Sequence, residues 1–206
     1  MAGAFPISNS KFDTLGIKSI QNTIISKSVS GKKLARQIDN QRWAFTVSIK
    51  TGTRSDVYGE LMAFIVKQRS GKENFTIVPP EVKNARGNES GTVLVNGDHA
   101  VGDTTINMDG HQNDNPHAFK SGDFIKFASH SKVYMVVADV QASSNASTVT
   151  IEPPLVSTIS NDSVVTYDNV SFTVYLTNDI QDFGATGTTN DGKLLYTYEM
   201  DVEEAL

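Results

Sequence analysis

Residues 118–155, AFKSGDFIKFASHSKVYMVVADVQASSNASTVTIEPPL, decide the fold class. Three apolar runs, 124–127, 133–137 and 148–151, are separated by turns rich in Ser, Asn and Gly. Short β-rich runs at this spacing predict an antiparallel three-strand meander. Gly122-Asp123 opens it and Pro153-Pro154 closes it, since proline has no N–H to give to a central ladder. The stretch holds no recognisable reaction centre and reads as a rigid β module.

Downstream of the meander, 163–167 and 170–176 (VSFTVYL) read as strands, and 194–202 (LLYTYEMDV) as a last one. Between them, 178–193 is dominated by Thr, Gly, Asn and Asp, has no apolar face, and is expected to be mobile in isolation. Upstream, 93–95 and 104–106 read as short strands with Asn96-Gly97 as the turn between them. Residues 109–117 (DGHQNDNPH) read as an exposed loop, and 75–78 as a strand stopped by Pro79-Pro80.

The first part of the chain contains one change of period. In 41–50 (QRWAFTVSIK), Trp43, Phe45, Val47 and Ile49 share one face, which is the signature of an amphipathic strand. Tyr58, Leu61, Met62 and Ile65 then fall at helical spacing, which predicts one helix over 56–68, capped by Ser55 or Asp56 and ended by Gly71. Trp43, Phe45, Leu61 and Ile65 are the expected core. Residues 5–30 alternate loosely and suggest extended chain with one or two strands, and 31–40 (GKKLARQIDN) a polar loop or hairpin tip. The sum is a mainly β protein with one α-helix. Residues 1–87 and 166–206 form a β-sandwich, and 88–165 a second small β-barrel subdomain inserted into it, with the crossing at 81–90.

Composition restricts the function. The chain has 206 residues, no cysteine and a formal charge of −5. Disulfides, thiolate metal sites and a Cys nucleophile are thereby excluded. No apolar run is long enough to span a bilayer, and residues 1–16 lack the basic and apolar regions of a secretory signal, so assembly in a cytosol is expected. Residues 1–87 carry 14 Lys and Arg against 6 Asp and Glu, whereas 88–206 carry 4 against 17. One reading of this division is two solvated surfaces of different composition. The other is attraction between copies, basic part to acidic part.

Candidate chemistry is sparse. The 109–117 loop gathers Asp109, His111, Asp114 and His117, but in no metal-ligand spacing. No nucleophile elbow or phosphate loop is present, and Ser131 beside His130 points to the opposite face of a strand. Glu203-Glu204 reads as a solvated pair. Lys32, Lys33, Arg36 and Arg42 flank Trp43 and Phe45 as in single-strand binders, yet those aromatics face the core and the chain is acidic overall. No catalytic residue, metal or cofactor is assigned.

Taken in order, the Ser30-Gly31 turn, the Arg42-Trp43-x-Phe45 strand, the helix around 61–64 and the Phe-x-Ile-x-Pro-Pro strand at 75–80 make up the first half of a layout. Lys-x-Gly-Asp-Phe-Ile at 120–125, Lys132-Val133-Tyr134, Ile-x-Pro-Pro-Leu at 151–155 and Glu-Glu-Ala-Leu at 203–206 complete it. This layout resembles the tail-tip and baseplate structural proteins of tailed bacteriophages, of distal-tail or tail-tube-initiator type. The resemblance implies a tail-tube-like β-sandwich and a virion structural subunit. It implies a homo-oligomeric, sixfold ring around the tail axis, joining the tail-tube protein to the baseplate hub. It transfers no catalytic residue. It implies no membrane and no specific nucleic acid, with the genome free to pass through a lumen; if the protein rings such a channel, some acidic residues of the second half are expected to line it. No long C-terminal receptor-binding domain is recognised, so direct host recognition is not expected. Lys32, Lys33, Arg36, Asp182 and Asp191 are the expected intersubunit residues. The alternative is a β-rich adhesion or carbohydrate-binding module of a phage fibre, for which the 109–117 and 178–193 loops offer one aromatic, Phe183.

Overall fold

The computed structural model describes residues 3–112 and 114–206, so Met1, Ala2 and Asn113, ends and loop of the expectations above, lie outside it. It is mainly β with one α-helix among the described residues and a second small barrel, as the alternation predicts.

The first sheet is antiparallel. Its order is β1 (Phe12–Ile20), β4 (Arg42–Thr53), β14 (Leu194–Glu204), β12 (Phe172–Leu176) and β5 (Phe75–Ile77), with β13 (Gly184–Thr188) added beside the first half of β14. Period-2 alternation sets its faces. Trp43, Phe45, Val47 and Ile49 of β4 are buried, and the register places them beside Tyr198, Met200 and Val202 of β14, also buried. On the opposite face, Thr46 donates to Asp201 at 2.6 Å and Arg42 pairs with Glu203 at 2.9 Å.

The helix begins differently from the sequence expectation. A π-helical turn, Arg54–Tyr58, leads into α1 (Gly59–Lys67). Neither Ser55 nor Asp56 caps it: Thr53 is at the N-cap without a side-chain bond, and Asp56 pairs with Lys11 at 3.0 Å. The tight turn brings Arg54 O to where a Cβ on residue 59 would lie, 2.7 Å away, so glycine is required there by close approach. At its far end α1 stops at Lys67, before Gly71, and Arg69 takes the left-handed conformation (φ 54°). Leu61 and Ile65 are buried against the sheet, as expected of the core.

The second sheet has the order β11 (Val165–Thr166), β8 (Phe124–Phe127), β9 (Val133–Val136), β10 (Ser147–Glu152), β7 (Thr105–Asp109) and β6 (Leu94–Val95). The meander read from 118–155 is its centre. Val95 donates to Ser163 O at 3.0 Å and Val165 to Val93 O at 3.0 Å, so the last strand meets the first and the barrel closes. Closure removes the free strand edges that an open sheet of this size would expose. Asn96-Gly97 bends the chain after β6, but the connection to β7 runs on over 96–104, longer than a two-residue hairpin turn.

The third element is a separate hairpin, β2 (Thr23–Lys27) with β3 (Lys33–Gln37), which joins neither sheet. The 31–40 segment is thus its turn and second strand.

Candidate functional site

Two buried polar networks hold the barrel, and one of them ties it to the sheet. β14 alternates inward at Tyr198, Met200 and Val202, so Glu204 also points inward, where it is 1% exposed. Its carboxylate accepts from Trp43 N (3.1 Å), Val133 N (2.9 Å) and Lys132 Nζ (2.5 Å). Lys132, equally buried, also donates to Gln41 Oε1 at 2.8 Å. The Trp43 indole N–H donates to Val133 O at 2.9 Å, and its ring meets Phe124 edge-on at 5.0 Å. Sheet and barrel are therefore joined through charge-assisted bonds. Burial pushes the Glu204 carboxyl up and the Lys132 ammonium down; each partner's charge and the two backbone N–H groups act against it. The solvated pair expected at Glu203-Glu204 is corrected: Glu204 is interior, and Glu203 is half-buried on Arg42. The signal was available, since 204 continues the inward parity of 198, 200 and 202.

The second network lies inside the barrel. Glu89 accepts from Gly91 N (2.7 Å), Ser90 N (2.9 Å) and Gln112 N (3.2 Å), and meets His111 Nδ1 at 2.9 Å. His111 Nε2 is 2.7 Å from Ser147 Oγ. Carboxylate, imidazole and hydroxyl thus stand in the order of a hydrolytic triad. Two features oppose catalysis. Ser147 shares its face of β10 with the buried Val149 and Ile151, so its hydroxyl looks inward. Ile151 N bonds Thr104 O, so two-residue alternation makes Ser147↔Met108 a bonded ladder pair as well, and the Ser147 N–H is engaged there. No oxyanion donor remains at the serine itself. The network anchors the 109–117 loop. Asp109, Asp114 and His117 do not join His111, and no metal-binding group of three is found among the described residues.

Close backbone approach underlies this anchor. Gly110 has φ 75°, and a Cβ there would lie 2.3 Å from Thr92 O. Gly110→Ala is expected to cost more than about 1 kcal/mol, from strain and displacement together, read as a lower urea midpoint.

Acid is expected to loosen the barrel in two windows. Burial, then the Lys126 and Lys132 charges, hold His130 below its usual range. Burial raises Tyr134 to about 12, so its phenol stays protonated; it is hydrogen-bonded to His130 Nε2 (2.7 Å) and accepts from Val156 N (3.1 Å). The unfolded imidazole takes up a proton first, so stability falls as pH drops below about 6.5. Burial raises the Glu89 carboxyl, but bonds from Gly91, His111, Gln112 and Ser90 outweigh it and the group ends below its usual value. Its contribution is complete above about pH 4.3 and is lost as pH falls toward the folded value. Thermal midpoints against pH should show both slopes, and His130→Gln should remove only the first.

The expected intersubunit residues are placed as follows. Lys33 and Arg36 are on β3 and Lys32 in the turn before it. The register pairs Ile24 with Arg36 and Lys27 with Lys33, which puts Arg36 and Lys33 on opposite faces of the hairpin. Asp182 and Asp191 are exposed in 178–193. Within one chain the basic and acidic sets form no ion pair among the described residues. The 178–193 tract, expected as chain without regular structure, contains a strand: Gly184–Thr188 pairs with β14, and Phe183 stacks on Tyr198 at 4.5 Å. Backbone pairing, not an apolar face, orders that tract. Phe183 is consequently half-buried and not displayed as a glycan platform.

No helix among the described residues is long and apolar enough to cross a membrane. Residues 81–170 match the family model described as distal tail protein pb9, B domain, a span that encloses β6 to β11 and so the whole closed barrel. No curated protein matches the chain. The barrel is therefore similar to the B domain of distal tail protein pb9, and that match supports a structural role in the bacteriophage tail for the chain that carries it.

Proposed function

We propose that this protein forms a homo-oligomeric, sixfold ring around the tail axis at the tail tip or baseplate, joining the tail-tube protein above to the central hub below. The barrel and the sheet-plus-helix unit act in it as two parts of one rigid block, 88–165 carried on 1–87 and 166–206. The work is geometric, and the reading needs neither cofactor nor catalytic group. The observation that carries it is the β2–β3 hairpin, whose every strand residue is exposed and which pairs with neither sheet. A lone two-stranded hairpin is marginal in water and gains its stability from what covers it. Lys32, Lys33 and Arg36 on this arm, and Asp182 and Asp191 on the acidic tract, are the proposed contacts between copies. A basic patch on one side and an acidic one on another make a head-to-tail contact, which closes into a ring when its rotation divides the circle. Assembly takes place in the host cytoplasm before incorporation into the virion, and the genome passes through the ring without specific contacts.

Mass photometry and electron microscopy of the purified chain test this reading, alone and with its neighbouring tail proteins. A closed multimer of about six copies is the expected result. A species that stays monomeric in every mixture, and binds glycans on an array, would overturn it in favour of a fibre adhesion module.

A further inference from the structure

The hairpin arm has a specific composition. Ile24, Ile25 and Leu34 are 58%, 56% and 52% exposed, far more than large apolar side chains in a covered sheet. Lys27, Lys32, Lys33 and Arg36 surround them, with no acidic residue between 21 and 38. None of these cations has an ion-pair partner among the described residues. The register assigns the faces: Ile24 stands opposite Arg36 and Leu34 opposite Ser26, so Ile24 and Leu34 are diagonal neighbours with Arg36 between them at one corner. Lys27, Lys33 and Ile25 look the other way.

The reverse pattern stands elsewhere on the surface. Ile180 is 86% exposed, and Asp179 and Asp182 flank it. This projection is supported from below. Ser70 Oγ donates to Asn178 O (3.2 Å) and Asp179 Oδ1 (2.8 Å), Gln181 bonds the Tyr198 hydroxyl, and Phe183 stacks on the Tyr198 ring. An apolar knob between carboxylates thus faces outward from an ordered base. Asp182 has no partner among the described residues. An apolar pair beside a guanidinium and an apolar knob beside carboxylates match in both character and charge.

Resting on the reading of the chain as a self-assembling subunit, we infer that the arm of one copy docks on residues 178–183 of the next. Ile180 seats against Ile24 and Leu34, and Arg36 pairs with Asp182. The opposite face of the arm, with Lys27 and Lys33, stays at the rim, where charge adds to encounter rate more than to affinity. A central apolar contact ringed by ion pairs is the arrangement in which a few residues dominate binding.

The chain contains no cysteine, so engineered thiols report the contact cleanly. Leu34→Cys and Ile180→Cys proteins, mixed and oxidised, should give a disulfide-linked pair, and neither should do so alone. Arg36→Glu should weaken self-association by about tenfold or more. Adding Asp182→Arg to the same chain should restore it, which a mere folding defect would not allow. If the wild type assembles while the cross-link fails and Arg36→Glu leaves assembly unchanged, this docking mode is overturned and the ring reading stands. If the wild type does not self-associate under any condition, both fall together.

Discussion

Lys132→Met is expected to lower stability by about 3–5 kcal/mol, the typical cost of removing one partner from a buried ion pair. The substitution keeps most of the side-chain volume, so the loss comes from charge. The Glu204 carboxylate would be left facing only the Trp43 and Val133 N–H groups, and Gln41 would lose its donor. Glu204→Gln in the same protein should recover part of the loss, because a neutral amide oxygen accepts from the same backbone groups without an unpaired charge. Urea unfolding at neutral pH checks both. A single variant within about 1 kcal/mol of wild type would mean that water reaches Glu204 and that this pair does not lock the barrel to the sheet. Since Lys132 precedes β9 of the barrel and Glu204 ends β14 of the sheet, the same variant should also make the junction more open to proteolysis.

Phe172→Ala is expected to cost a similar amount, about 3–5 kcal/mol, by leaving a cavity that rigid neighbours cannot fill. Phe172 is fully buried on β12. Its ring meets Phe45 of the sheet edge-on at 4.8 Å and Phe124 of the barrel at 5.6 Å. It therefore sits where the two cores touch. Phe183→Ala, which removes a half-buried ring stacked on Tyr198, should cost clearly less, because solvent can fill the space at a partly exposed position. Equal losses at the two positions would argue that the Phe45–Phe172–Phe124 cluster is not the point where barrel and sheet are packed together.

Much of this molecule was legible from its side-chain periods. The alternation of Trp43, Phe45, Val47 and Ile49 named the core face of β4, and helical spacing from Tyr58 to Ile65 found α1. The runs within 118–155 found the centre of the barrel, because in each case the burial pattern repeats locally. The helix cap was misplaced because the π-helical turn at Arg54–Tyr58 shifts the start of regular bonding, an effect that propensity does not register. The composition of 178–193, with nothing to bury, predicts a tract that is mobile in isolation. Its order comes from ladder bonds to β14, which side-chain identity does not encode. The arm was half read: a polar, basic loop or hairpin tip was visible, but not that both its strands stand free of the rest.

What the sequence determined by itself is most of the strands of the large sheet and the barrel, the helix and the faces each would bury. Those follow from a repeat of two or 3.6 residues that any short window displays. Which charges go inside was decided only by tertiary structure. Glu204 is placed in the interior by the parity of its own strand, but it is made tolerable there by Lys132, 72 residues away in the chain. Such a partner is supplied by the packing of one unit on another, and no local pattern announces it. The same holds for His111, whose loop looks like solvated polar chain until Glu89, 22 residues upstream, and Ser147, 36 downstream, close around it.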